Sequence, residues 1–280
     1  MKPTRFSGWV VHCMEKTQKT RPVEFKSFSR SPVDILIPFH SQYERVSELL
    51  KSILLSVKSN PYQITLIDDC SENKNFGEEI KNQFVKSTPP GFKPQVQYIR
   101  SEKRLGFGGA LKMGFEVTSL PWVLFMHSDC LVEDPNFMIS MGQSLLNWKK
   151  EGVPVKMVSA RSNNPGDCEL AKAETLDRSD KDIILGEETL PLFCAMCNRD
   201  LFRYIGGFIR TYPYAWYEDE ELAYRMRSKG LKQGISTRAW IRHHGGATIK
   251  YVWESDPDSK RTMEDNRNLC LADIKRIGRK

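Results

Sequence analysis

The sequence contains no apolar run long enough to cross a bilayer. Its 280 residues are 40% hydrophobic and 28% charged, the composition of an ordinary globular domain with ample core material. A membrane-spanning helix needs about 18 consecutive apolar residues. The first five residues lead into no apolar segment of the signal-peptide type. We therefore expect no transmembrane segment, no secretory signal and a cytoplasmic protein.

Cysteine does not occur in a pattern that suggests a disulfide framework. The seven cysteines are odd in number and irregularly spaced, which favours a reducing compartment. Cys194 and Cys197 have Cys-x-x-Cys spacing, but no second Cys or His pair stands nearby to complete a zinc site. We interpret both as buried core residues. A His-x-Glu motif with Pro-Cys-x-x-Cys is also missing, which excludes a zinc deaminase.

Two common phosphate-binding motifs are missing as well. A dinucleotide fingerprint that starts at Gly106 would need glycine at position 111, which is Leu111. The Gly-Lys-Ser/Thr of a Walker A loop is absent too. Residues 106–110 remain as a run of small residues at the entrance to a predicted helix, where a ligand phosphate can approach the backbone closely.

Positive charge is concentrated at the ends of the chain, whose net charge is +7. We divide it into a basic N-terminal arm (residues 1–32, with one strand over Gly8–Cys13), a main domain (residues 33–255) and a basic C-terminal tail or helix (residues 256–280). Basic flanks either contact phosphate-rich partners or only solubilise the protein.

Between the flanks, patterns typical of strands and helices alternate. Strands are predicted over 33–39, 62–67, 96–99, 122–126, 155–160, 190–197 and from Ala239 to His243. Helices are predicted over 43–58, 78–85, 106–117, 137–149, 198–205 and from Glu218 onward. This alternation indicates an α/β fold with a mostly parallel central sheet flanked by helices. Residues 161–188 are polar and are predicted to form a long surface loop.

Acidic and histidine side chains follow the predicted strands where these end. The carboxyl ends of parallel strands are where open α/β sheets bind ligands. Asp129, just after the strand over 122–126, either helps to hold a divalent metal or caps the turn before Asp134. Asp68 and Asp69 either accept hydrogen bonds from a nucleoside or form an Asx turn with Ser71.

Two later motifs carry further candidate groups. Glu218 and Asp219 begin a predicted helix, where acidic side chains are favoured by the helix dipole. A carboxylate at this position that faces the sheet edge could also act as a general base. His243 and His244 end a strand beside two glycines, and an imidazole there is either structural or a metal ligand.

Taken in order, these motifs resemble the family 2 glycosyltransferases with the GT-A nucleotide-diphospho-sugar transferase fold. Residues 66–71 (Leu-Ile-Asp-Asp-Cys-Ser) are similar to the nucleotide-binding Asp-Asp-Gly-Ser segment of that family, and residues 104–110 to its glycine-rich helix entrance. His127-Ser128-Asp129 occupies the place of its Asp-x-Asp metal motif. Gly206-Gly207-Phe208 followed by Glu218-Asp219 is similar to its acceptor-side motif, and His243 matches its late metal histidine.

The resemblance implies a role for each candidate residue. Asp219 would be the catalytic base, assisted by Glu218; Mn²⁺ or Mg²⁺ would be held by Asp129 and His243, with His127 as a third candidate ligand. The nucleotide-binding residues would be Pro38, Asp68, Asp69, Arg104, Gly108, His127 and Ser128. Two departures stand out: His127 replaces the first acid of Asp-x-Asp, and Cys70 replaces glycine, which should alter the turn.

The implied activity is metal-dependent, inverting transfer of a sugar from a nucleotide-diphosphate sugar, a UDP-sugar in the first place, to an acceptor hydroxyl. A glycan is the default acceptor, and the basic flanks also allow a hydroxylated base in phage-type DNA, which would require base flipping. The alternatives are a non-catalytic nucleotide-sugar-binding protein, suggested by His127, and a nucleotidyltransferase.

Overall fold

The computed structural model describes residues 28–57, 61–87, 95–177, 181–209, 212–246 and 258–278. The strand expected over Gly8–Cys13 lies outside these residues. The strands are β1 (Val33–Phe39), β2 (Tyr62–Asp68), β3 (Gln95–Arg100), β4 (Trp122–Met126), β5 (Cys130–Leu131), β6 (Val155–Arg161), β7 (Ile183–Ile184), β8 (Cys194–Asn198), β9 (Lys232–Trp240) and β10 (Arg242–His243). The helices are α1 (Tyr43–Ser56), α2 (Phe76–Ser87), α3 (Gly106–Glu116), α4 (Phe137–Lys150), α5 (Arg199–Ile205), α6 (Glu218–Ser228) and α7 (Ser259–Ile277).

Eight strands form one sheet in the order β3-β2-β1-β4-β8-β6-β9-β7. The half that the family motifs occupy is parallel, since β1 pairs in parallel with both β2 and β4, and β2 with β3. Strand β8 is antiparallel to both β4 and β6. Strand β9 is parallel to β6, and β7 is antiparallel to β9, so six of the eight strands run in one direction. The predicted mostly parallel sheet is thus confirmed, and it places the ends of β1, β2 and β4 side by side.

The core forms two layers, one on each face of the sheet. Because side chains of a strand alternate between faces, Ile35 and Ile37 of β1 pack with α1, α2 and α4, whereas Leu36 packs with α3, α5 and α6. Every residue of β1 and of β4 is buried. These strands are therefore apolar on both faces, which is why their bounds could be read from the sequence.

Two further segments pack on this domain. Helix α7, within the predicted C-terminal tail or helix, contacts α6. Phe28, within the predicted N-terminal arm, is fully buried, and its ring centroid lies 5.0 Å from that of Trp122. No helix in the described ranges has the length and apolar character needed to span a membrane.

Three predictions need correction in the second half of the chain. The predicted loop over residues 161–188 contains a short 3₁₀ turn (Glu169–Ala171) and β7, whose pairing with β9 a local pattern does not reveal. The strand expected over residues 190–197 begins only at Cys194. The late strand is longer and interrupted: β9 ends at Trp240, and β10 leaves the main sheet to pair with β5.

Candidate active site

A cavity of about 750 Å³ opens where β1, β2 and β4 end. The residues that follow these strands form its floor, and the starts of α3 and α6 form its walls. Of the predicted site residues, the cavity is lined by Pro38, Asp69, Arg104, His127, Ser128, Asp129, Glu218, Asp219 and His243. The structure therefore brings together side chains from six separate parts of the chain.

His127, Asp129 and His243 form one cluster in this cavity. One ligand atom from each of the three side chains lies within 4.8 Å of the others. The short pairing of β10 with β5 places His243 opposite Cys130, directly beside Asp129. The distance from His243 Nε2 to Asp129 Oδ1 is 3.2 Å, and from His127 Nδ1 to the same oxygen it is 3.9 Å.

The tautomer of His243 suits a cation at this point. Its Nδ1 lies 2.6 Å from the carbonyl oxygen of Asn164 and donates to it, since a carbonyl only accepts. In the neutral ring, Nε2 then presents a lone pair towards the Asp129 carboxylate, and this buried nitrogen has no hydrogen-bond partner. Two acceptors that face each other this closely are stabilised by a positive ion between them. The residues present therefore fit a divalent metal.

His127 is suited to the same role. Burial, reinforced by the neighbouring His243, lowers the pKa of His127 to about 4, although the charge of Asp129 opposes the shift. The ring is therefore neutral at neutral pH, as a metal ligand must be. It packs edge-on against Phe107, with ring centroids 4.8 Å apart.

Asp69 ties the end of β2 to the start of α3. Its two carboxylate oxygens accept hydrogen bonds from the amides of Leu105 (2.6 Å) and Gly106 (3.0 Å). Gly106 has φ of +72°, a backbone conformation that residues with a Cβ rarely adopt. A Cβ there would also lie 2.2 Å from the carbonyl oxygen of Tyr212, so the available space requires glycine as well. The guanidinium of Arg104 lies 4.8 Å from the centre of the Tyr214 ring, and its buried Nε has no hydrogen-bond partner.

Two predicted nucleotide-binding residues do not line the cavity. Asp68 is fully buried; its Oδ1 accepts from the Ser71 amide at 2.7 Å, and its Oδ2 accepts from Tyr98 and Arg100. These contacts match the Asx-turn alternative, so Asp68 stabilises the turn after β2 and does not line the cavity. Gly108 is buried within α3. Cys70 has φ of +62°, so the turn has the left-handed conformation that favours glycine, with cysteine in that place.

Glu218 and Asp219 start α6 and face the cavity. Burial, with the nearby charge of Asp219, raises the pKa of Glu218 to about 8. The buried Oε2 of Glu218 has no hydrogen-bond partner. Burial also raises the pKa of Asp219 to about 6, although the Glu220 amide donates a hydrogen bond to its Oδ1. Adjacent carboxyl groups with separated pKa values are suited to different roles in one reaction.

The predicted site residues did not include the aromatic segment before α6 or the residue that supports it. Tyr214, Trp216 and Tyr217 line the cavity and all have positive φ, at 66°, 78° and 73°. Asn266 of α7 donates from Nδ2 to the carbonyl oxygens of Pro213 and Ala215, both at 2.9 Å. The density of aromatics was visible in the sequence, but nothing local linked it to α7.

His40 was also left out of the predicted site. It follows β1, lines the cavity, and its Nδ1 lies 2.9 Å from the carbonyl oxygen of Asp69. The interpretation of Cys194 and Cys197 as core residues is confirmed: both are fully buried in β8 with free thiols, and burial raises the pKa of each. Among the described residues, the histidine–aspartate cluster is the one group of side chains placed to hold a metal.

Solved structures show the same architecture. The chain matches a mannosyltransferase from Pyrobaculum calidifontis in complex with GDP-Man and Mn²⁺ (TM-score 0.58, 16% identity, 76% of this chain and 57% of that chain). It also matches S. aureus TarS 1-349 (0.54, 13%, 79% and 63%) and GalNAc-T7 with UDP, GalNAc and Mn²⁺ (0.56, 15%, 76% and 44%). The chain spans less than two thirds of each of these structures, and at such identities the likeness establishes the fold. No curated protein matches the sequence.

The mixed sheet, its flanking helices and these matches define a domain of the GT-A glycosyltransferase fold. Residues 34–141 match the family model described as glycosyl transferase family 2. This match covers 108 of the 280 residues and is to the same family that the sequence motifs resemble, which supports the prediction of a family 2 glycosyltransferase.

Proposed function

We propose that the protein is a metal-dependent, inverting glycosyltransferase that moves a sugar from a nucleotide-diphosphate sugar, a UDP-sugar in the first place, to an acceptor hydroxyl. One observation carries this proposal: the histidine–aspartate cluster and the Glu218–Asp219 pair line the same cavity. Two structures of the same fold contain Mn²⁺ together with a nucleotide or nucleotide sugar, which supports both ligand classes.

The donor would bind at the ends of β1, β2 and β4. Asp129, His243 and His127 would hold Mn²⁺ or Mg²⁺, which when bound supplies positive charge to offset the charge on a departing diphosphate. The Arg104 guanidinium, whose Nε has no hydrogen-bond partner, would donate to a diphosphate oxygen. Pro38, Asp69 and Ser128 surround the space left for the nucleoside.

The acceptor would bind next to α6. Asp219 takes the proton of the acceptor hydroxyl as its oxygen attacks the anomeric carbon and the bond from that carbon to the diphosphate oxygen breaks. Attack from the face opposite the leaving group inverts the anomeric centre. With a pKa of about 6, Asp219 is mostly ionised at pH 7 and close to the ideal strength for a base there. Glu218, protonated at pH 7, donates a hydrogen bond that orients the acceptor.

The proposal is tested by incubating the protein with a panel of nucleotide sugars, with Mn²⁺ or Mg²⁺ and with EDTA, and measuring release of nucleoside diphosphate. We expect release only with metal, and a loss of about 10²–10⁴-fold in Asp219→Asn with donor binding retained. Unchanged turnover in this variant would make the base assignment wrong. Release of pyrophosphate would identify a nucleotidyltransferase, and tight binding without turnover a non-catalytic binding protein.

A further inference from the structure

Two groups of side chains that line the cavity differ in charge. Arg104 and the histidine–aspartate cluster form a donor group suited to a diphosphate. The second group, here called the acidic wall, consists of Asp167, Glu218, Asp219 and Glu220. Within the described part of the chain, Arg104 is the sole lysine or arginine that lines the cavity.

The carboxylates of the acidic wall lie close enough to affect one another. Partial desolvation raises the pKa of Glu220 although its side chain is exposed, and the charge of Asp167 raises it further. Asp167 also contributes to the raised pKa of Asp219. Arg267 of α7 partly offsets the charge at Glu220 but does not line the cavity. Negative charge is thus concentrated where an acceptor would approach Asp219.

Glu218 gives this wall an unsatisfied group that points to a ligand. Its side chain is 5% exposed and lines the cavity, and the buried Oε2 has no hydrogen-bond partner. The carboxyl group of Glu218, protonated at pH 7, is stabilised by a ligand group that both accepts a hydrogen bond and donates one. A sugar hydroxyl does both, whereas an ionised phosphate oxygen only accepts.

Two aromatic residues lie next to the acidic wall. Trp216 and Tyr217 line the cavity immediately before Glu218, whereas the ring of Tyr214 packs against Arg104. The combination of a flat apolar surface with carboxyl groups suits a sugar ring, which has an apolar face and a rim of hydroxyl groups. The same combination disfavours a polyanion, because like charges brought together in a partly buried site repel strongly.

We propose that the acidic wall selects a saccharide acceptor without anionic groups. In this proposal the carboxylates of Asp167 and Glu220 repel phosphorylated and nucleic-acid acceptors. This inference rests on the proposed function and narrows its acceptor. Both residues are exposed, so they control which acceptor approaches Asp219 without taking part in the proton transfer.

The test uses the full chain with its best nucleotide sugar and Mn²⁺. Donor hydrolysis to water is measured first, because it reports on the proposed function without any acceptor. Neutral saccharides, their phosphorylated counterparts and duplex DNA with hydroxymethylated bases are then compared as acceptors and as inhibitors of that hydrolysis. We expect neutral saccharides to exceed phosphorylated ones by at least about tenfold in kcat/KM, with the gap shrinking at high salt.

The double variant Asp167→Asn/Glu220→Gln should reduce this discrimination about tenfold, because phosphorylated acceptors gain kcat/KM relative to neutral ones. Glu187→Gln is the matched control, since Glu187 has a 97% exposed side chain and does not line the cavity. If hydrolysis occurs but phosphorylated saccharides or DNA are used equally well, or nothing in the panel binds, the inference is wrong while the proposed function stands. If no donor is cleaved, both fail.

Discussion

At the scale of single residues, Asp219 sets the expected pH dependence of transfer. Burial raises its pKa to about 6, and only the ionised carboxylate can accept a proton. We therefore predict that kcat/KM falls about tenfold per pH unit below about pH 6 and is highest near pH 7, because ionisation of Glu218 near pH 8 removes the hydrogen bond that orients the acceptor. Donor and metal binding measured over the same range is the control for titration of other groups. A profile that is flat from pH 5 to 8 would contradict the role of Asp219.

Glu218 predicts a pH-dependent change in stability. Its pKa in the folded protein, about 8, is above the ordinary value of 4.5. The unfolded chain thus releases this proton at lower pH, and the folded protein loses stability as pH rises from about 4.5 to 8. Glu218→Gln removes this loss, so its Tm should exceed that of the wild type by several degrees at pH 8 and by little at pH 4.5. Equal differences in thermal melts at the two pH values would count against this.

The fate of Asp68 was not predictable from its neighbours in sequence. The pair Asp68-Asp69 suggested one shared role, yet only Asp69 reaches the cavity. The carboxylate of Asp68 is used by Tyr98 and Arg100, both on β3. Which of two adjacent acids meets a ligand depends on the side chains of the next strand, and these do not appear in a local pattern.

At the scale of elements, α7 supports the segment that delivers Glu218 and Asp219. Three non-glycine residues with positive φ precede α6, and such conformations cost about 1–3 kcal/mol each. Asn266 holds the segment through two carbonyl oxygens. We predict that Asn266→Ala lowers kcat about tenfold with little change in donor KM, as steady-state kinetics would show.

The matched control for this prediction is Asn268→Ala, because Asn268 is exposed on the same helix and should leave kcat unchanged. An equal effect of both substitutions, or a loss of donor binding in Asn266→Ala, would indicate a general loss of structure instead of a displaced base.

Strands that are buried on both faces were the most predictable elements. The strands over Val33–Phe39 and Trp122–Met126 have the predicted bounds, because an unbroken apolar run needs no partner to be recognised. By contrast, β7 has two residues and is defined only by its pairing with β9. Residues 190–193 are buried and apolar but lie in irregular backbone before β8, so burial alone did not indicate a strand.

At the scale of the whole molecule, the candidate metal site depends on distant contacts. The order of the motifs along the chain resembles that of the family, and this resemblance predicted that Asp129 and His243 would lie close together. It did not predict that Asn164 would set the tautomer of His243, or that β10 would leave the main sheet to reach β5. These contacts determine the geometry of the candidate metal site.

Mn²⁺ binding measured by calorimetry in the presence of UDP most directly tests the claim that His127, Asp129 and His243 hold a metal beside a diphosphate. Wild-type protein and His244→Ala, whose exposed ring is not in the cluster, should bind Mn²⁺ with similar affinity. His243→Ala should bind Mn²⁺ at least about 100-fold more weakly. Loss of a residue that only supports a metal ligand already weakens metal binding by about 10–100-fold, and loss of the ligand itself should weaken it at least as much. Equal affinity in wild type and His243→Ala would contradict the account.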